Sequence, residues 1–140
     1  MWKAEGAVSR KEKTSTQAFS AGQMRAATLR AARLAAIKAD IVDNLGQQAL
    51  SLRGLASRHG LSTGYVRQLF AAEATTFTEF VQRQRLAAAY RMLGDARFAG
   101  RSISVIAFEA GFGDVAYFTR VFRRRYGMKP ADARAARPTD

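Results

Sequence analysis

The segment from Arg101 to Pro130, RSISVIAFEAGFGDVAYFTRVFRRRYGMKP, constrains the fold of this chain more than any other. Ser102 is placed to cap a helix in which Ile103, Ile106, Ala107 and Ala110 recur at i, i+3, i+4 and i+7. That spacing puts all four on one helical face. Gly111-Phe112-Gly113 interrupts the pattern, and glycine supplies the left-handed backbone that a sharp turn needs. Asp114 can cap a second helix, where Phe118, Val121 and Phe122 repeat the apolar face before Gly127 and Pro130 end it. Helix, glycine turn, helix is a helix-turn-helix, and its second helix carries Arg120, Arg123, Arg124 and Arg125.

The same unit occurs earlier in the chain. Ser51 caps a short helix with Leu52, Leu55 and Ala56 inward, Gly60-Leu61 turns, and Ser62 caps a helix burying Val66, Leu69 and Phe70. Gly60 precedes Gly111 by 51 positions, so the unit is an internal repeat and not one stray match. Thr76-Phe77-Thr78-Glu79 reads as a capping box opening a longer helix to about Leu93. Its inward side is Phe77, Phe80, Val81, Leu86, Ala89, Tyr90 and Leu93. Upstream, Leu34, Ile37, Ile41 and Leu45 form the stripe of a helix over 28–45. Residues 1–27 are polar, small and weakly patterned, and are read as a flexible tail or linker remnant, although Ser20-Ala21-Gly22-Gln23 offers a weak helix start. The expected fold is all-α, with two helix-turn-helix subdomains, each a homeodomain-like three-helical bundle, bridged by a long linker helix. The first subdomain with the linker helix would occupy 28–95 and the second 96–140, with a short helical turn after Pro130.

The pattern IxxIAxxxGFxDxxYFxRxFRRxxGxxP, carried by Ile103, Ile106, Ala107, Gly111, Phe112, Asp114, Tyr117, Phe118, Arg120, Phe122, Arg123, Gly127 and Pro130, resembles the second helix-turn-helix of AraC-type transcription regulators. Ala56, Gly60, Ser62, Tyr65, Leu69 and Phe70 resemble the first motif of that family, and Phe80, Arg85 and Leu93 fit its joining helix. The resemblance covers roughly Thr28 to Arg134. Three positions depart from it. Ala116 stands where a small hydroxyl residue is common, Lys129 where Thr or Ser is common, and Ala74 where Gly is usual. The resemblance implies transcription regulation, usually activation, with RNA polymerase as a further partner. Many family members carry a separate effector-binding domain, for which this chain has no room. The expectation is a protein that works alone or a fragment lacking its sensing half, and the linker-like tail favours the fragment.

Composition narrows the partner. A net charge of +12 on 140 residues points to a polyanion. A membrane-facing patch would be one long basic amphipathic helix, whereas here the Arg residues sit in a turn-punctuated pattern. Cysteine is absent, which removes disulfides, thiolate nucleophiles and Cys-ligated zinc. No apolar run reaches membrane-spanning length and the N-terminus lacks a secretory segment, so the expected location is cytoplasmic, at the nucleoid. Gly111-Phe-Gly-Asp-Val-Ala116 matches a dinucleotide-binding fingerprint by letter. That motif needs a following βαβ unit, and Gly127 and Pro130 follow instead. His59 is alone at a helix C-terminus, where it suits the dipole better than a metal site. No nucleophile–base pair is found and no cofactor, metal or small-molecule site is evident, so an enzyme is not expected.

In a helix-turn-helix the second helix enters the major groove and its N-terminal half meets base edges. For the first motif the outward residues are Thr63, Gly64, Arg67, Gln68 and Ala71. Arg67 can pair with guanine O6/N7 and Gln68 with adenine N6/N7, each good pair discriminating by roughly 1–3 kcal/mol. Gly64 could offer backbone contact only. For the second motif, Val115 and Ala116 can touch thymine methyls, Thr119 and Arg120 are polar readers, and Arg123, Arg124 and Arg125 suit phosphates. Tyr65 and Tyr117 are assigned to the edge of the core. The predicted function is sequence-specific recognition of double-stranded DNA by a transcription regulator, with two recognition helices in successive major-groove segments. The alternative is a non-specific architectural nucleic-acid binder. RNA binding is disfavoured because a sheet with exposed stacking aromatics is not expected.

Overall fold

The computed structural model describes the backbone of residues 2–136 and the side chains of residues 20–136. In chain order the helices are α1 (Trp2–Asp43), α2 (Leu52–Arg58), α3 (Thr63–Ala71), α4 (Phe77–Leu93), α5 (Ile103–Glu109), α6 (Val115–Tyr126) and α7 (Pro130–Ala136). One 3₁₀ turn, Ala96–Phe98, precedes α5, and no strand occurs among the described residues. The all-α expectation is met. By packing, the chain divides into two compact units, Met1–Ala36 and Ile37–Asp140.

The stretch read as a flexible tail or linker remnant is helical from Trp2, so Ser20-Ala-Gly-Gln23 lies inside α1 and not at its start. The cause is composition. Ala, Lys, Arg, Glu, Gln and Met dominate this stretch, no proline occurs before Pro130, and these residues favour helix without an apolar stripe. In the first unit Leu34 is buried, while Met24 and Leu29 are exposed.

In the second unit the capping residues expected from the sequence do cap. The hydroxyls of Ser51, Ser62, Thr76 and Ser102 accept from the backbone N–H of Gly54, Tyr65, Glu79 and Val105 at 3.1–3.2 Å. The Asp114 carboxylate accepts from Ala116 N–H at 2.8 Å and Tyr117 N–H at 3.2 Å. Each such cap stabilises its helix by about 1 kcal/mol. The box at Thr76 is only half formed, because the Glu79 carboxylate accepts from the Thr75 hydroxyl at 3.1 Å.

Two cores follow from the two repeats. In the first, Ile37 and Ile41 of α1 and Leu45 just beyond it are buried together with Leu55, Val66, Leu69 and Phe70. Phe70 meets Phe77 and Phe80 of α4 at ring-centroid distances of 6.3 and 5.6 Å. In the second, Phe118, Phe122 and Tyr126 sit at i, i+4 and i+8 and form an aromatic column along the inward face of α6. Tyr90 of α4 stacks on Tyr126 at 4.6 Å, and Phe112 from the turn meets Phe118 at 4.9 Å. Burial keeps the Tyr126 hydroxyl protonated to higher pH than an ordinary tyrosine. α7, expected as a single turn, is a helix with Pro130 and Ala133 buried, and it packs on α4 and α6.

Polar ties fix α1 to α2. Asp40 accepts from Arg58 at 3.1 and 3.2 Å and from Asn44 at 2.7 Å, and pairs with His59 Nε2 at 2.8 Å. The Arg58 hydrogen bonds above all, then those of His59 and Asn44, hold the Asp40 carboxyl below its usual range despite partial burial. His59 does cap the C-terminus of α2, but its partner is a carboxylate 19 residues upstream.

Candidate nucleic-acid interface

Each helix-turn-helix places its second helix by a glycine turn and a cap. Gly60 (φ +65°) and Gly111 (φ +107°) occupy equivalent turns ahead of α3 and α6. Burial of Val66, Leu69 and Phe70 turns the opposite side of α3 outward, and burial of Phe118, Val121 and Phe122 does the same for α6.

On α3, Gly64, Arg67, Gln68 and Ala71 are exposed, as expected, whereas Thr63 is half-buried. On α6, Val115, Ala116, Arg120, Arg123 and Arg124 are exposed, whereas Thr119 is half-buried. Both threonines flank an inward-facing row, which withdraws part of each side chain from solvent. A Cβ at Gly64 would meet nothing within 4 Å, so this position leaves open space where a larger residue would project.

The electrostatics favour an anion. Neither α3 nor α6 contains an acidic residue. Among the described residues, the ion pairs engage Lys38 with Glu73, Arg58 and His59 with Asp40, Arg97 with Asp95, and Arg101 with Glu109. Arg67, Arg120, Arg123 and Arg124 take part in none of them. The paired carboxylates Asp40, Glu73, Asp95 and Glu109 thus tie scaffold residues, and the exposed arginines of α3 and α6 lie outside these pairs.

Tyr117 lies at the edge of the core, as expected, with its ring 6.5 Å from that of buried Phe112. It is 40% exposed, donates a 2.7 Å hydrogen bond to Gln82 Oε1 on α4, and carries the Arg120 guanidinium over its ring at 5.4 Å. This cation–π contact at i, i+3 spacing restrains the orientation of Arg120 on the exposed side of α6. Sequence reasoning missed the tie to Gln82 because the partners are 35 residues apart. Arg85, noted only as fitting a family pattern, donates to the carbonyls of Leu45 and Gln47 at 3.0 and 2.9 Å. Ala74, which stands where glycine is usual, takes up the left-handed backbone anyway at φ +56°.

Among the described residues, no group of three or more His, Cys, Asp or Glu side chains is arranged to hold a metal ion. No helix among them is long and apolar enough to cross a membrane.

Comparison with known proteins gives these features a family. A helix-turn-helix domain model matches residues 55–136, which spans both glycine turns and both α3 and α6. The transcriptional activator RhrA of Rhizobium meliloti is 36% identical over 102 residues, 73% of this chain and 32% of RhrA. The uncharacterised HTH-type transcriptional regulator YfiF of Bacillus subtilis is 40% identical over 100 residues, 71% of this chain and 30% of YfiF. The chain thus spans less than a third of the length of these two curated relatives. A probable AraC family transcriptional regulator from Rhodopseudomonas palustris superposes with a TM-score of 0.66 at 23% identity, covering 76% of this chain and 98% of that one. At that identity the likeness shows the fold alone.

Proposed function

The chain belongs to the AraC-type helix-turn-helix family, and we propose that it is a sequence-specific double-stranded DNA-binding transcription regulator. Its two reading helices, α3 and α6, enter successive major-groove segments about 34 Å apart on one face of the duplex. One observation carries this reading. A duplicated unit presents two acid-free helices, each with an exposed arginine in its first two turns, Arg67 and Arg120, outside every ion pair described above.

Arg67, Gln68 and Arg120 read base edges, Val115 and Ala116 contact thymine methyls, and Thr63, Thr119 and the Gly64 backbone complete the surface. Arg123 and Arg124 neutralise phosphates and supply affinity that carries little sequence information. Because both helices lie on one chain, an asymmetric site suffices, with no need for the two-fold symmetry of a repressor dimer. RhrA is named as a transcriptional activator, which supports activation, with RNA polymerase as the second partner, as the regulatory outcome.

The net charge of +12 also suits an architectural binder that compacts or bends DNA without choosing sequence. Arg67→Ala and Arg120→Ala separate the two. Each should weaken binding to a cognate site by about 10-fold or more, the loss of one bidentate base contact, while non-specific duplex loses only a few-fold. Equal loss on every sequence would refute base reading by these residues.

A further inference from the structure

If one chain reads two groove segments, something must hold the two reading helices at a fixed spacing and angle. Among the described residues, one face of α4 is built for this. Gln82 and Arg85 stand at i and i+3 on α4, so they share a side of the helix. Gln82 accepts the Tyr117 hydroxyl at 2.7 Å and so grips the first turn of α6. Arg85 donates Nε to the Leu45 carbonyl at 3.0 Å and Nη2 to the Gln47 carbonyl at 2.9 Å, and so grips the segment that leads into α2 and α3. Both residues line one cleft of about 390 Å³, shared with Val81, Gly111, Phe112 and Tyr117.

The fit around Arg85 leaves no slack. A Cβ at Gly111 would come within 2.4 Å of the Leu45 carbonyl oxygen and 2.5 Å of Arg85 Nε. A Cβ at Gly46 would come within 3.0 Å of the Glu109 carbonyl oxygen. The turn of the second motif, the exit from α1 and the Arg85 guanidinium therefore meet at one point, with glycine where any side chain would push them apart.

We infer that Arg85, with Gln82 and Tyr117, is a spacing gauge that fixes α6 relative to α3 and so sets the number of base pairs between the two blocks the protein reads. These are positioning residues: they act through the reading helices and need touch no base. A lysine would keep the charge at position 85, but its single ammonium lacks the planar fork that spans two carbonyls. The inference rests on the proposed two-groove reading.

The test uses the full chain and duplexes carrying its two selected blocks with the intervening spacer shortened or lengthened by one base pair. Each step moves one block by about 3.4 Å along the axis and turns it by roughly a tenth of a helical turn. Wild type should discriminate against either shifted spacer by about 10-fold, of the order of one mismatched base pair. Arg85→Ala, and separately Tyr117→Phe, should compress that discrimination to less than about 3-fold while leaving the preferred bases within each block unchanged. Arg85→Lys should fall between. A protein that is merely less stable would bind less overall but keep its spacer profile, so equally sharp profiles in folded variants would overturn the inference and leave the DNA-binding reading standing. If Arg85→Ala does not fold, Tyr117→Phe, which loses only a hydroxyl, decides the matter by the same criterion. A wild-type chain with no two-block site would overturn the proposed function and the gauge with it.

Discussion

The two turn glycines differ both in the room around them and in how far their backbone lies from the left-handed well open to other residues. Gly60 and Gly111 both carry positive φ, +65° and +107°, but a Cβ at Gly60 would meet nothing within 4 Å, whereas one at Gly111 would strike Leu45 and Arg85. Gly60→Ala thus pays the left-handed penalty of about 1–2 kcal/mol, offset by about 0.4–1 kcal/mol from a less mobile unfolded chain. Its net cost is about 1 kcal/mol. Gly111→Ala adds the overpacking of a closed joint, about 1–3 kcal/mol, because backbone and a guanidinium bonded to two carbonyls must shift. The difference between the variants is then about 2 kcal/mol, which for an m-value near 2 kcal/mol/M moves the urea midpoint by about 1 M. Urea unfolding followed by far-ultraviolet circular dichroism measures both midpoints under one condition. Equal midpoints, or a lower one for Gly60→Ala, would refute the claim that the second turn is sterically closed and the first open.

Two further outcomes follow from local geometry. Ala74→Gly should raise the urea midpoint, because exposed Ala74 sits at φ +56° and glycine relieves about 1–2 kcal/mol of strain against about 0.4–1 kcal/mol of added unfolded-state entropy; a fall would contradict strain at that turn. For Asp40 the folded carboxyl is held below its ordinary value of 3.8, so its contribution is complete above that pH and is lost as pH falls through the lower folded value. The stability gap between wild type and Asp40→Asn should therefore be wide at pH 5 and narrow towards pH 3; a gap unchanged over that range would show that the cluster does not work through the ionised carboxylate.

What could be read from the sequence was whatever has a local signature. Ser51, Ser62, Thr76, Ser102 and Asp114 all cap because a hydroxyl or carboxylate two or three residues before a free N–H acts within one turn. The inward faces of α3 and α6 followed from 3.6-residue spacing, and with them the exposure of Arg67 and Arg120. The start of α1 was missed because its residues favour helix by intrinsic propensity and carry no apolar stripe, so a search for periodicity passes over them. The joint at Arg85 was missed for the opposite reason. Its partners lie 38 and 40 residues away and are backbone carbonyls, which have no residue identity to recognise. Tyr117 does meet Phe112 at the core edge, as expected, but the partner of its hydroxyl, Gln82 on α4, lies 35 residues away and had no local signal. Ala74 shows a third limit. The turn adopts the left-handed backbone without glycine, because the surrounding helices dictate the geometry and the residue bears the strain.

Selection of bound sites from a random double-stranded DNA pool, at near-physiological salt and with the whole chain, tests the central claim most directly. The account predicts an enriched asymmetric site with two short conserved blocks about one helical turn apart, and with bases in each block that change when Arg67 or Arg120 is replaced by alanine. Retention of DNA with no enriched sequence, weakening steeply as salt rises, would contradict it and leave a basic protein that holds the backbone alone.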